Sequence, residues 1–151
     1  MTANEEIVDE LNDLVKINNN RIQGYMKAAE DSEDAHLDHL FNEMIVQSQN
    51  FRSQLADHIV RMDGSAVTDA DSTDITSKIH RAWIDIKAAI TGKDRDTVLS
   101  SVTFGESVAV DAYEEAIEKD SLPAHVKEDL SRQLLELRAA LSKMEGLKSD
   151  K

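Results

Sequence analysis

The amino-acid sequence predicts an all-α protein: a four-helix bundle with a long helical crossover between its second and third long helices. Three observations point there. Apolar residues recur at helical rather than alternating spacing along almost the whole chain. One proline and five glycines in 151 residues leave too few turn-formers for a many-stranded sandwich or barrel. Two of the breaks between long helices are short and one is long, which fixes how four helices can pack.

The first long helix is expected over 3–30. Its stripe runs Ile7, Leu11, Leu14, Asn18, Ile22, Tyr25, Ala29, and Thr2-x-x-Glu5 ahead of it has the pattern of a capping box. After the polar break Asp31-Ser32-Glu33-Asp34, a second helix is expected over 35–62, with Leu37, Leu40, Met44, Ser48, Phe51, Leu55, Ile59 and Met62, stopping before Gly64. The stretch from Asp63 to Thr73 is small and polar, as loops are. A crossover helix is expected over 75–91, carrying Ile75, Ile79, Trp83, Ile86 and Ile90, with Gly92 suited to the stop and Asp94 to the next cap. The third long helix is expected over 95–119 with Val98, Val102, Glu106, Ala109, Tyr113 and Ala116. The fourth is expected over 123–148, with Pro123 in its first turn and Leu130, Leu134, Leu137, Leu141 and Met144 inward. The short breaks make two antiparallel hairpins, and the long connection makes the second and third long helices parallel. One domain covering residues 1–151 follows.

Composition removes several functions. The chain lacks cysteine, so it has no disulfide scaffold, thiolate metal site or cysteine nucleophile. A formal charge of −13 disfavours nucleic acid and anionic lipid as partners and suits solubility, or attraction to a basic protein. Residues 1–6 lack the basic and apolar runs of a signal peptide, and no segment reaches the roughly 20 apolar residues of a membrane span, so a cytoplasmic protein is expected.

Three inward stripes each hold one polar residue near mid-length: Asn18, Ser48 and Glu106. Asn18 and Ser48 both lie roughly 18–20 Å from the break that joins their helices. Glu106 sits at a similar distance from the second short break, level with Leu137. A buried polar layer facing an apolar fourth wall is the expectation, with Glu106 protonated or hydrogen-bonded by the Asn18 amide and Ser48 hydroxyl. With no charged partner in view, Glu106→Gln and Glu106→Leu should both be tolerated.

The run Leu11-Asn12-Asp13-Leu14 through Asn18 to Tyr25, Gly105-Glu106 followed by Tyr113 and Ala116, and His80-x-x-Trp83 together resemble the ferritin-like four-helix bundles, in particular a bacterial family of unknown function among them. The resemblance covers nearly the whole chain. It implies a di-iron ligand set: a glutamate on each of two helices and Glu-x-x-His on each of the other two. Carried over by position, Asn18 stands for the first glutamate. Ser48-x-x-Phe51 and Leu137-x-x-Ala140 stand for the two Glu-x-x-His pairs, and Glu106 alone keeps its ligand. The resemblance thus implies the fold and argues against its inherited di-iron chemistry.

Other constellations are weaker. His36, His39 and Glu43 share one helix face and form, with Glu106, the weak metal candidates; a solvated face is the plainer reading. His58 beside Asp57 and Arg61 reads as surface, His80 as a boundary residue and His125 as exposed. Asp69-x-Asp71-x-x-Asp74 lacks the glycine and glutamate of a calcium loop. Tyr25 and Tyr113 read as core tyrosines. The expectation is a non-catalytic binding or structural module without a cofactor. The alternative is a metal-dependent oxidase or metal-storage protein with an altered site for iron or manganese. A homodimer or higher homo-oligomer is expected, with Val8, Val15, Ile45 and Val110 as off-stripe apolar residues able to supply the contact.

Overall fold

A computed structural model describes residues 2–32, 34–65 and 95–148. Among the described residues there are four helices, α1 Ala3–Asp31, α2 Ala35–Arg61, α3 Arg95–Ile117 and α4 Ala124–Lys148, and no strand. The fold is an all-α four-helix bundle. The expected crossover helix, with His80 and Trp83, lies outside the described residues, as do Asp69, Asp71, Asp74, Gly92 and Asp94.

The helix ends have local causes. At α1 the Thr2 hydroxyl accepts from the Glu5 amide while the Glu5 side chain reaches back to the Thr2 amide, a complete capping box. Asp34 caps α2, its Oδ1 accepting from the amides of His36 at 2.9 Å and Leu37 at 3.2 Å. Those amides, Leu37's first, hold its carboxyl below the usual aspartate range. α2 ends in a Schellman turn: Gly64 N–H donates to Ile59 O and Asp63 N–H to Val60 O. Here Asp63, not a glycine, takes the left-handed position at φ 59°. Gly64 serves a different need. A Cβ there would lie 2.7 and 2.8 Å from the two methyls of Val8, so the last turn of α2 closes directly against α1. Pro123 stands just before α4 rather than in its first turn; its carbonyl accepts from Val126 and Lys127.

The inward residues follow an alternating three–four spacing. In α1 it runs Ile7, Leu11, Leu14, Asn18, Arg21, Tyr25, Ala28; in α2 Leu37, Phe41, Met44, Ser48, Phe51, Leu55, His58. In α3 it runs Leu99, Val102, Glu106, Ala109, Tyr113, Ala116, and in α4 Val126, Leu130, Gln133, Leu137, Ala140, Met144. All are buried. A mean period of 3.5 keeps each stripe aimed at its neighbours along the full helix, as in bundles with coiled-coil packing.

Cross-links between helices fix their directions. Lys119 meets Glu10, Tyr113 meets Asn18 and Glu106 meets Arg21, so α1 and α3 are antiparallel. Gln133 meets Gln54 and Asp129 meets His58, so α2 and α4 are antiparallel. With α1 and α2 joined by a short turn, α2 and α3 run parallel. Arg95 closes the far end, reaching Asp34 at 3.4 Å and the Leu147 carbonyl at 3.0 Å. The apolar core falls into two clusters. One surrounds Leu11, Leu14, Leu55, Tyr113 and Leu130; the other surrounds Tyr25, Leu37, Phe41, Val102 and Met144. A polar layer separates them.

Gly64→Ala should destabilise the protein by about 1–3 kcal/mol, because Val8 is β-branched and must be displaced. Urea denaturation measures this; an unchanged midpoint would show that the start of α1 moves aside freely.

Candidate functional site at the bundle centre

The polar layer is built around an arginine. Arg21, fully buried, extends from α1 and takes both oxygens of Glu106 on α3: Nε donates to Oε1 at 2.6 Å and Nη2 to Oε2 at 2.7 Å. Nη1 donates to the Ser48 hydroxyl of α2 at 2.7 Å, and Nη2 also approaches the Met44 sulfur at 3.5 Å. The guanidinium carbon stands 5.4 Å from the centre of the Tyr25 ring, a cation–π contact. Burial would lower the pKa of the guanidinium, but the adjoining Glu106 carboxylate outweighs it and holds the pKa above the usual value. Tyr25 is pushed well above the ordinary phenol range, first by burial and then by the negative charge of Glu106.

A second string of hydrogen bonds lies one turn away. The Asn18 amide donates to the Leu14 carbonyl and, at 2.9 Å, to the Tyr113 hydroxyl. Tyr113 donates to Gln133 Oε1 at 2.6 Å, and Gln133 Nε2 donates to Gln54 Oε1 at 2.8 Å. Burial raises the Tyr113 pKa, so the phenol stays a donor. The string joins α1, α3, α4 and α2 in turn.

Asn18, Ser48 and Glu106 all have zero exposure and lie at this level of the bundle. The expected bonding among them is corrected. Glu106 receives its hydrogen bonds from Arg21, Ser48 accepts from Arg21, and Asn18 serves Tyr113 instead. The wall formed by α4 is not wholly apolar, since Gln133 joins Leu137 there. Arg21 and Gln133 are the residues that sequence reasoning missed. The signal was available: Arg21 sits three residues after Asn18 and four before Tyr25, and Gln133 three after Leu130 and four before Leu137.

His58 is also corrected. It is 5 % exposed, not a surface residue, and its Nε2 lies 2.5 Å from Asp129 of α4, which also pairs with Arg132. Its Nδ1 is buried without a hydrogen-bond partner among the described residues, and the ring of His125 stands 5.7 Å away. Val15 and Val110, expected as part of a dimer contact, are buried in the core, while Val8 and Ile45 are partly buried. His36, His39 and Glu43 are all exposed on α2. Among the described residues no group of three or more His, Cys, Asp or Glu side chains is placed to hold a metal ion, and no helix is long and apolar enough to cross a membrane.

Among the described residues the centre offers one carboxylate, Glu106, already taken at both oxygens by a cation. A di-iron site needs a carboxylate from each of four helices and an imidazole from two of them; the described residues do not fit it. What the arrangement does chemically is join α1 and α2 to α3 across the midline of the bundle.

Residues 6–119 match the family described as "Domain of unknown function (DUF2383)". The match runs from the start of α1 through the end of α3 and includes Asn18, Arg21, Ser48, Glu106 and Tyr113; α4, with Gln133, lies beyond it. No curated protein and no solved structure matches the chain.

Glu106→Leu leaves a buried guanidinium without its counter-charge, which reverses the expectation of tolerance. It should cost about 3–5 kcal/mol, and Arg21→Met combined with Glu106→Leu should recover most of that loss. Chemical denaturation of both variants checks it; a double variant no more stable than the single would show that the cost is lost packing.

Asp129 makes a separate pH prediction. The His58 hydrogen bond, first among several contacts, depresses its pKa. A depressed carboxylate stabilises the fold above its unfolded pKa, about 3.9, and loses that contribution as pH falls through the lower folded value. The melting temperature of Asp129→Asn should therefore lie below that of the parent at pH 6, with the gap narrowing below about pH 4. A gap independent of pH contradicts this.

Proposed function

The chain belongs to this DUF2383 family, and from that premise we propose that it is a ferritin-like helical bundle whose centre is closed by an ion pair, serving as a binding or structural module without metal catalysis. One observation carries the reading: the Arg21 guanidinium holds both oxygens of Glu106, the only residue that keeps the place of a di-iron ligand. A metal ion at that height would have to displace Arg21 from Glu106 or accept its positive charge as a neighbour. Either is costly in a site where neither side chain reaches water. Asn18 and Ser48 stand where acids would be needed, and both are committed to hydrogen bonds with Tyr113 and Arg21.

The rival reading is a metal-dependent oxidase or storage protein with displaced ligands. Elemental analysis of protein produced with added iron or manganese and purified aerobically separates the two. Well under one ion per chain is the expected result. Two tightly held ions per chain would overturn the proposal.

A further inference from the structure

His58 and His125 meet where the last turn of α2 packs beside the first turn of α4. Their ring centres are 5.7 Å apart, with the ring planes inclined at 52°. The His58 side chain is only 6 % exposed, and its Nε2 lies 2.5 Å from Asp129 Oδ2. The carboxylate accepts, so this bond draws the ring proton to Nε2 and leaves Nδ1 with a free lone pair. That Nδ1 is buried and has no hydrogen-bond partner among the described residues. A buried acceptor left unpaired costs free energy and calls for a water or an ion as its partner. His125 stands four residues before Asp129, on the same face of α4, and is exposed.

An imidazole with one nitrogen bonded to a carboxylate and the other carrying a free lone pair is arranged as histidines are when they serve a metal ion. The distance to the second ring agrees. A zinc–nitrogen bond of about 2.0–2.1 Å puts two ring centres roughly 5–6 Å apart when both imidazoles bind one tetrahedral ion. We propose that His58 and His125 hold an imidazole-seeking divalent cation of the zinc class, with Asp129 positioning His58 and water completing the coordination on the exposed side of His125. Among the described residues no third His, Cys, Asp or Glu joins them as a ligand, so the ion is held weakly and exchanges, unlike a closed structural zinc. Iron(II) and manganese(II) bind such nitrogen ligands less tightly than zinc. His58 is ten residues along α2 from Ser48, about 15 Å, so the inference stands or falls apart from the reading of the bundle centre.

Calorimetric titration of the full chain with zinc chloride near neutral pH, at about 0.15 M salt to screen diffuse attraction, tests it. Saturable binding of one ion per chain is expected. His125→Ala changes an exposed side chain, keeps the fold, and should weaken binding by more than about tenfold; Asp129→Asn, which loosens the hold on His58, should weaken it by roughly tenfold. His39→Ala removes an exposed imidazole of α2 away from this site and should leave the affinity unchanged. In the nuclear magnetic resonance spectrum, the ring signals of His58 and His125 should shift together as zinc is added. Absence of saturable binding at sub-millimolar zinc overturns the proposal. So does full affinity in His125→Ala, or equal weakening by His39→Ala, which would mark adventitious binding to surface imidazoles.

Discussion

The structure depends on one ion pair in the dry middle of the bundle. Removing a guanidinium and a carboxylate from water costs several kcal/mol per ion, and only good geometry with further hydrogen bonds offsets it. Arg21 and Glu106 meet that condition: two parallel bonds between them, a third to Ser48, and an aromatic face beside the cation. Such a pair adds little net stability over a well-packed apolar core. It adds a strict requirement, because any slip of α3 along α1 by one turn strands two charges. The same requirement is repeated more mildly by Asn18–Tyr113, Gln54–Gln133 and His58–Asp129. Each of these links joins the α1–α2 hairpin to the α3–α4 hairpin. Apolar contact is tolerant of register; this set of polar links is not.

That division of labour explains the two-part core. Each half contains large side chains that pack without polar demands, such as Leu11, Leu14, Leu55 and Leu130 in one and Leu37, Phe41 and Val102 in the other. The polar layer lies between them at mid-height, as far as the helices allow from both ends and from water. There the effective dielectric is low, an ion pair is strong and an unpaired ion is most costly.

Much of this was legible in the sequence, and the misses share a cause. Helical spacing and the lengths of the breaks led to four helices and their order, and the stripes passed through Asn18, Ser48 and Glu106. Arg21, Gln133 and His58 were passed over because arginine, glutamine and histidine are read as surface residues by default. A period of 3.6 allowed that choice, since it let the stripe of α1 step to Ile22 and that of α4 to Leu134, both apolar and both buried. Holding the period at 3.5 places Arg21, Gln133 and His58 on the inward seam without reference to polarity. The pairing of Arg21 with Glu106 was beyond the sequence for another reason. It is a contact between residues 85 apart, and only the relative heights of α1 and α3 bring them together.

The proposal that the bundle centre works without a metal rests on the same pair. A carboxylate that serves a metal must keep its lone pairs available; Glu106 spends both oxygens on Arg21. The most direct test is a crystal structure of protein produced in iron-rich medium, with an anomalous difference map collected at the iron edge. The account predicts continuous density for a guanidinium bonded to Glu106 and Ser48, and no anomalous peak between the four helices. A strong peak there, with Arg21 turned away from Glu106, would contradict it.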